Sequence, residues 1–138
     1  MKRPVKKHDT QCLVAYALNA FGDRWSLLIV RDMMLYGKRR YRDFLQSKEG
    51  IATNILADRL RHLEAAGILE KERDPENRRS FIYSLTAKGL QLAPILIEVI
   101  RGGGRCAPLN EFREDFIERA DTDRDELVRE LQARASGR

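Results

Sequence analysis

Apolar positions recur at helical spacing through most of the chain and alternate only over a short central stretch. Residues 12–21, CLVAYALNAF, predict a helix stopped at Gly22. Asp23 then stands as the N-cap of a second helix, RWSLLIVRDMML, whose Trp25, Leu28, Ile29 and Met33 share a face. The chain turns at Gly37, and a short amphipathic stretch, YRDFLQS, follows and breaks at Gly50. In TNILADRLRHLEAAG, Leu56, Leu60 and Leu63 repeat at i, i+4 and i+7, which makes one buried stripe, and Gly67 closes the helix. At about 100° per residue the opposite side presents Asn54, Asp58 and Arg61, flanked by Ala57 and His62.

The alternating stretch comes next. ILEKER sets Leu69, Lys71 and Arg73 against Ile68, Glu70 and Glu72, and FIYSLT sets Phe81, Tyr83 and Leu85 against Ile82, Ser84 and Thr86. Pro75, Glu76 and Asn77 supply turn chemistry between two half-buried strands, and Arg78 and Arg79 lie at the tip. Two helices joined by a tight turn, the second carrying short and hydrogen-bonding residues outward, suit a DNA major groove; a solvated helix face is the competing reading of that helix alone. A hairpin directly after such a helix is the wing of a winged helix-turn-helix, where guanidinium groups reach phosphates or the minor groove. Charged tips also serve only to keep hairpins from pairing. The expected fold is therefore mainly α with a small β-hairpin, a winged helix-turn-helix with extra N- and C-terminal dimerisation helices.

Three segments follow from this reading: a basic N-terminal arm over 1–10, the winged domain over 11–101, and a C-terminal helical extension over 102–138. The glycines at 102–104 are expected to break the helix QLAPILIEVI. In the extension, Leu127, Val128 and Leu131 fall at helical spacing and Phe112 and Phe116 one turn apart, so the tail either enlarges an interface or folds back on its own body. The first helix and LAPILIEVI carry more apolar surface than a small wing domain covers, which predicts a homodimer. Tyr16, Phe21, Trp25 and Phe44 are expected in the core.

Charge sharpens the picture. The 138 residues hold 26 Lys and Arg against 21 Asp and Glu; residues 1–105 carry 20 basic and 12 acidic side chains, net +8, while 106–138 carry 6 and 9, net −3. A basic body suits a polyanionic partner. No apolar run resembles a spanning segment or a signal peptide, so a cytoplasmic protein without a membrane partner is expected. Cys12 and Cys106 are too few for a disulfide framework. His8 and Cys12, four apart, do not make a metal site, and no nucleophile, base and orienting group form a catalytic pattern. Neither an enzyme nor a cofactor is expected.

Several pieces in order also resemble a known family. A cysteine opening the first helix, GDRWSLLIVRDMML with one extra methionine, KRRYRDF, GIATNILADRLRHLEAAGIL and YSLTAKG make residues from about Cys12 to Ile100 similar to the HxlR-type winged helix-turn-helix transcription regulators of bacteria. The resemblance implies a homodimer that binds an inverted-repeat operator in double-stranded DNA, repressing or activating genes, often in response to electrophiles or other small effectors. It implies Thr53, Asn54, Asp58, Arg61 and His62 as the groove-facing set and Arg78 and Arg79 on the wing. Thr53 sits where a hydroxyl caps the helix, Asn54 pairs with adenine and Arg61 with guanine. Asp58 either accepts from cytosine or, as the preferred role, holds Arg61 or His62. Arg59, nearer the leucine stripe, has an internal ion pair competing with phosphate contact. For Lys38, Arg39 and Arg40, phosphate positioning and plain solvation both stay open.

The resemblance also marks Cys12 as a redox or electrophile sensor. The first turn of a helix favours thiolate over thiol, and Lys6 and Lys7 add positive potential; the opposing reading is a buried cysteine acting as a small hydrophobe. Leu13 replaces the proline common in the family, and residues 102–138 extend past the family's usual end. Two alternatives to a DNA-binding regulator are a thiol sensor with DNA binding as its output and a basic module that meets an acidic protein.

Overall fold

The computed structural model describes residues 11–106 and 114–137. The expected basic arm, with Lys6, Lys7 and His8, lies outside them, as does Phe112. In chain order the elements are α1 (Leu13–Phe21), α2 (Ser26–Tyr36), α3 (Tyr41–Leu45), α4 (Thr53–Ala65), β1 (Leu69–Asp74), β2 (Asn77–Leu85), α5 (Ala87–Leu90), α6 (Ala93–Cys106), α7 (Glu114–Thr122) and α8 (Arg124–Ala135). The expected mainly helical fold with one hairpin is what the chain adopts.

Trp25, not Asp23, holds the N-cap position of α2, but Asp23 still serves the start of the helix: its Oδ2 accepts from the backbone N–H groups of Trp25 and Ser26, each at 3.0 Å. Burial pushes the Asp23 carboxyl upward, but the hydrogen bonds from the Ser26 hydroxyl and these amides, with Arg59 nearby, outweigh it and hold the group below its ordinary value. The stripe Leu56, Leu60 and Leu63 is buried, and it meets Val30, Met33 and Phe44 in the centre of the core. Gly67, just past the end of α4, takes φ 76°, a left-handed conformation that costs glycine little. The two strands pair antiparallel from Leu69↔Leu85 to Arg73↔Phe81, and the tip closes at Asp74↔Asn77.

Three expectations are corrected. The turn is confined to Pro75 and Glu76, so Arg78 and Arg79 belong to β2 rather than to a loop. The glycines at 102–104 do not break a helix, because α6 runs through them to Cys106. Tyr16 is not core: it is 46% exposed, and α1 has no buried residue at all. Of the two fates left open for the tail, folding back is the one observed. Leu127, Leu131 and Ala135 of α8 are buried with α2, and the Arg134 guanidinium donates to the carbonyls of Met34 and Leu35 at 3.1 and 2.8 Å, closing the end of α2. Ion pairs Glu98–Arg124 (2.6 Å) and Arg101–Asp121 tie α6 to the same tail.

Candidate nucleic-acid interface

Helix α4 stands on its leucine stripe, which turns the other side to solvent. Thr53, Asn54, Asp58 and Arg61 are all exposed there. Thr53 is the first helical residue and not the cap; Ala52 occupies the cap position, and no side chain closes it. The Thr53 carbonyl instead accepts from the Tyr41 hydroxyl at 2.8 Å, which bonds the start of α4 to α3. Asp58 holds neither Arg61 nor His62 as its closest partner. It accepts from Arg59 at 2.6 Å, and that hydrogen bond keeps its carboxyl below the ordinary range. Arg59 also reaches Asp23 at 3.4 Å, the internal pairing expected of it.

His62 departs from the outward set. It is half-buried, and its Nε2 lies 3.2 and 3.1 Å from the carbonyls of Asn19 and Ala20, so the protonated nitrogen donates to the end of α1. A residue expected to face DNA thus joins α1 to α4.

The basic run divides in the same way. Lys38 reaches Asp32 at 3.5 Å and lies over the Tyr36 ring. Arg40 donates through Nε to the Asp74 carboxylate at 2.9 Å, and this hydrogen bond holds Asp74 below its ordinary value. The same segment makes backbone contacts to the hairpin: Arg40 bridges Ile82, and the Arg39 carbonyl accepts from the Tyr83 N–H at 2.8 Å. Arg39 is half-buried. Lys38 and Arg40 are therefore not simply solvated: each is paired with a carboxylate inside the chain.

These contacts aim the wing. Asp74, 3% exposed, also accepts from the Glu76 N–H at 2.9 Å, so one carboxylate organises the turn and anchors it to the segment preceding α3. Phe81 lies between Lys71 and Arg73, with cationic groups 4.4 and 4.7 Å from its ring centre, and Phe44 meets Tyr83 edge-on at 6.3 Å. Arg78 and Arg79 are exposed, and as neighbours on a strand they project to opposite faces. Cys12 occupies the N-cap position of α1 and is exposed, as is Cys106. Among the described residues no group of three or more His, Cys, Asp or Glu is placed to hold a metal, and no helix is long and apolar enough to cross a membrane.

The anchoring pairs Arg40–Asp74 and Arg31–Glu49 carry no sequence signal, since their partners lie 34 and 18 residues apart.

Helix, turn, helix and braced hairpin in this order define a winged helix-turn-helix, a DNA-binding architecture of transcription regulators. The HxlR-like helix-turn-helix family model matches residues 20–109, and the chain belongs to that family. It is a transcriptional regulator that binds DNA, not an enzyme. An uncharacterised HTH-type transcriptional regulator of Synechocystis is 34% identical over 92 residues, covering 67% of each chain. Among solved structures, PA1607, described as a transcription factor, superimposes with a TM-score of 0.68 at 34% identity over 78% of this chain and 73% of the other. The redox regulator HypR in its oxidised form gives 0.63 at 29% identity over 71% and 100%.

Proposed function

We propose that the chain acts as a homodimer on an inverted-repeat operator, with α4 in the major groove and the hairpin against the flanking backbone. The observation that carries this is the two-sided character of α4: Leu56, Leu60 and Leu63 are buried while Thr53, Asn54, Asp58 and Arg61 are exposed opposite them. In this reading Asn54 and Arg61 read bases, Thr53 sits by a phosphate, Asp58 orients Arg59 beside the groove, and Arg78 and Arg79 meet the backbone. His62 acts through the placement of α1. Exposed Leu13, Val14 and Leu18 on α1 and Ile95 and Val99 on α6 support pairing of two copies. Selection from a random duplex pool tests the whole reading. The expected product is a two-fold symmetric motif with half-sites about 34 Å apart or a multiple of that. Equal, weak binding of the selected duplex and its scrambled version at physiological salt overturns it.

A second reading adds thiol control. Exposure of Cys12 at the start of α1 supports it, as does the structural likeness to a redox regulator. Two such thiols joined across a dimer release two protons and two electrons to an oxidant such as diamide, and α1, joined to α4 through His62, carries the change toward the recognition helix. Operator binding of wild type must then change on diamide and recover with reductant, while Cys12→Ser stays indifferent; equal responses remove this reading.

A further inference from the structure

Helix α6 turns Ile95 and Val99 outward and buries Ala93, Leu96, Ile97 and Ile100 on its other side. What it packs on decides where it points. Besides α2, its neighbours include α7 and α8, two helices that lie past the residues matching the family. These two are locked to each other, since Arg119 on α7 grips Glu130 on α8 with both arms of its guanidinium, each at 2.9 Å. They meet α6 through a chain of four charges. Glu98 accepts from Arg101 at 3.0 Å and from Arg124 at 2.6 Å, and Arg101 turns its other terminal nitrogen to Asp121. The hydrogen bond from Arg124 holds the Glu98 carboxyl below its ordinary value. An isolated exposed pair fixes little, whereas a connected network shared among three helices constrains their angle.

The same two helices are fixed to the DNA-reading head. Leu127, Leu131 and Ala135 of α8 are buried, α8 packs on α2, and Arg134 closes the last turn of that helix. The Gln132 amide donates to the Leu90 carbonyl at 3.1 Å, at the end of α5 and just before α6 begins. Thus α7 and α8 span from the core of the head to the middle of α6. The lever is long. With 14 residues α6 is about 21 Å in length, so a tilt of about 10° at one end moves the other by about 4 Å, close to one base-pair step.

We propose that α7 and α8 form a strut that fixes the angle between α6 and the head, and thereby the half-site spacing that a dimer accepts, with Glu98, Arg101, Asp121 and Arg124 as its positioning residues. This rests on the reading of α6 as part of the surface that pairs two copies. None of these residues lies on α4 or the hairpin, so they act on spacing and not on the sequence of a half-site.

Duplexes carrying two selected half-sites, with the spacer changed one base pair at a time, test it beside a duplex with a single half-site. The variant combining Arg101→Glu and Arg124→Glu sets carboxylates against Glu98 and Asp121, and a carboxylate at the first residue of α8 suits that helix end, so the helix itself is not weakened. This variant is expected to sediment as a dimer, to bind the single half-site as wild type does, and to lose the wild-type spacing optimum or move it by about one base pair. Adding Glu98→Arg and Asp121→Arg inverts the whole chain of charges and should restore the original optimum. An unchanged spacing profile in the first variant overturns the strut and leaves the operator reading standing. A first variant that sediments as a monomer also overturns it, because the charges then belong to the pairing surface itself, and so does a shifted profile that the full inversion fails to restore. Wild type that is monomeric, or indifferent to spacing, removes the dimer reading on which the proposal stands.

Discussion

Arg31 on α2 grips Glu49 with both ends of its guanidinium fork, Nη1 to Oε2 and Nη2 to Oε1, each at 2.8 Å. The same guanidinium donates to buried Asp32, and Ser47 completes the cluster by donating to Glu49 at 2.6 Å. Glu49 lies in the turn between α3 and α4, so a helix outside the helix-turn-helix pair fixes the angle at which the recognition helix leaves it. Planar two-point pairing of this kind is directional as well as strong.

This pair makes stability depend on acid. The Arg31 hydrogen bond holds the Glu49 carboxyl at about 2, below its ordinary 4.5, even though partial burial opposes the shift. A depressed folded value means the stabilisation is complete above 4.5 and disappears as pH falls toward about 2. Urea unfolding of wild type and Glu49→Gln across that window should converge at the acid end, with wild type more stable only above it.

Removing the other partner should cost more. Arg31→Ala leaves Asp32 buried with only Lys38, at 3.5 Å, to compensate, so a loss of roughly 3 kcal/mol is expected. Equilibrium denaturation gives the number directly, and a loss below about 1 kcal/mol contradicts the clamp.

The tail belongs to the core. Leu131→Ala in α8 should destabilise by about 2–5 kcal/mol, the cost of a cavity at a fully buried leucine, whereas an appendage would lose well under 1 kcal/mol. A single cooperative melt that shifts as a whole distinguishes the two.

Gly103 offers the opposite sign. It lies inside α6, and a Cβ built on it meets nothing within 4 Å. Gly103→Ala should stabilise by about 0.4–1 kcal/mol, chiefly by restricting the unfolded chain, and a thermal melt reads the increase.

His62→Ala should separate support from recognition. Loss of the bonds to Asn19 and Ala20 is expected to cost about 1 kcal/mol of stability while leaving the selected duplex motif unchanged. Relaxed preference at a base pair, with stability intact, would return His62 to the groove.

The leucines of α4, the glycine at 67 and the alternation over Leu69–Leu85 all announce themselves in sequence, because burial, helix ends and pleat each impose a period on the chain. The position of the recognition helix was legible for that reason. Its side-chain partners were not. Spacing offered Asp58 the partners Arg61 and His62, but His62 turns to the end of α1 and Arg59, drawn between Asp23 and Asp58, takes the place. His62 sits next to the outward face, and carbonyls 42 and 43 residues away decide its direction. Glycines at 102–104 oppose a helix by local propensity, yet α6 continues through them, and the ion pairs that tie Glu98 and Arg101 to Arg124 and Asp121 reach across to residues no local pattern connects.

Arg134 closes the last turn of α2 by reaching the carbonyl of Met34, 100 residues earlier in the chain. During synthesis the DNA-reading head therefore emerges from the ribosome long before the segment that completes it, and α2 waits with its last turn uncovered. Contacts of such separation in sequence form late, since the intervening chain must first lose its freedom. A chain that has not yet formed α8, or has lost it, is a head lacking this brace.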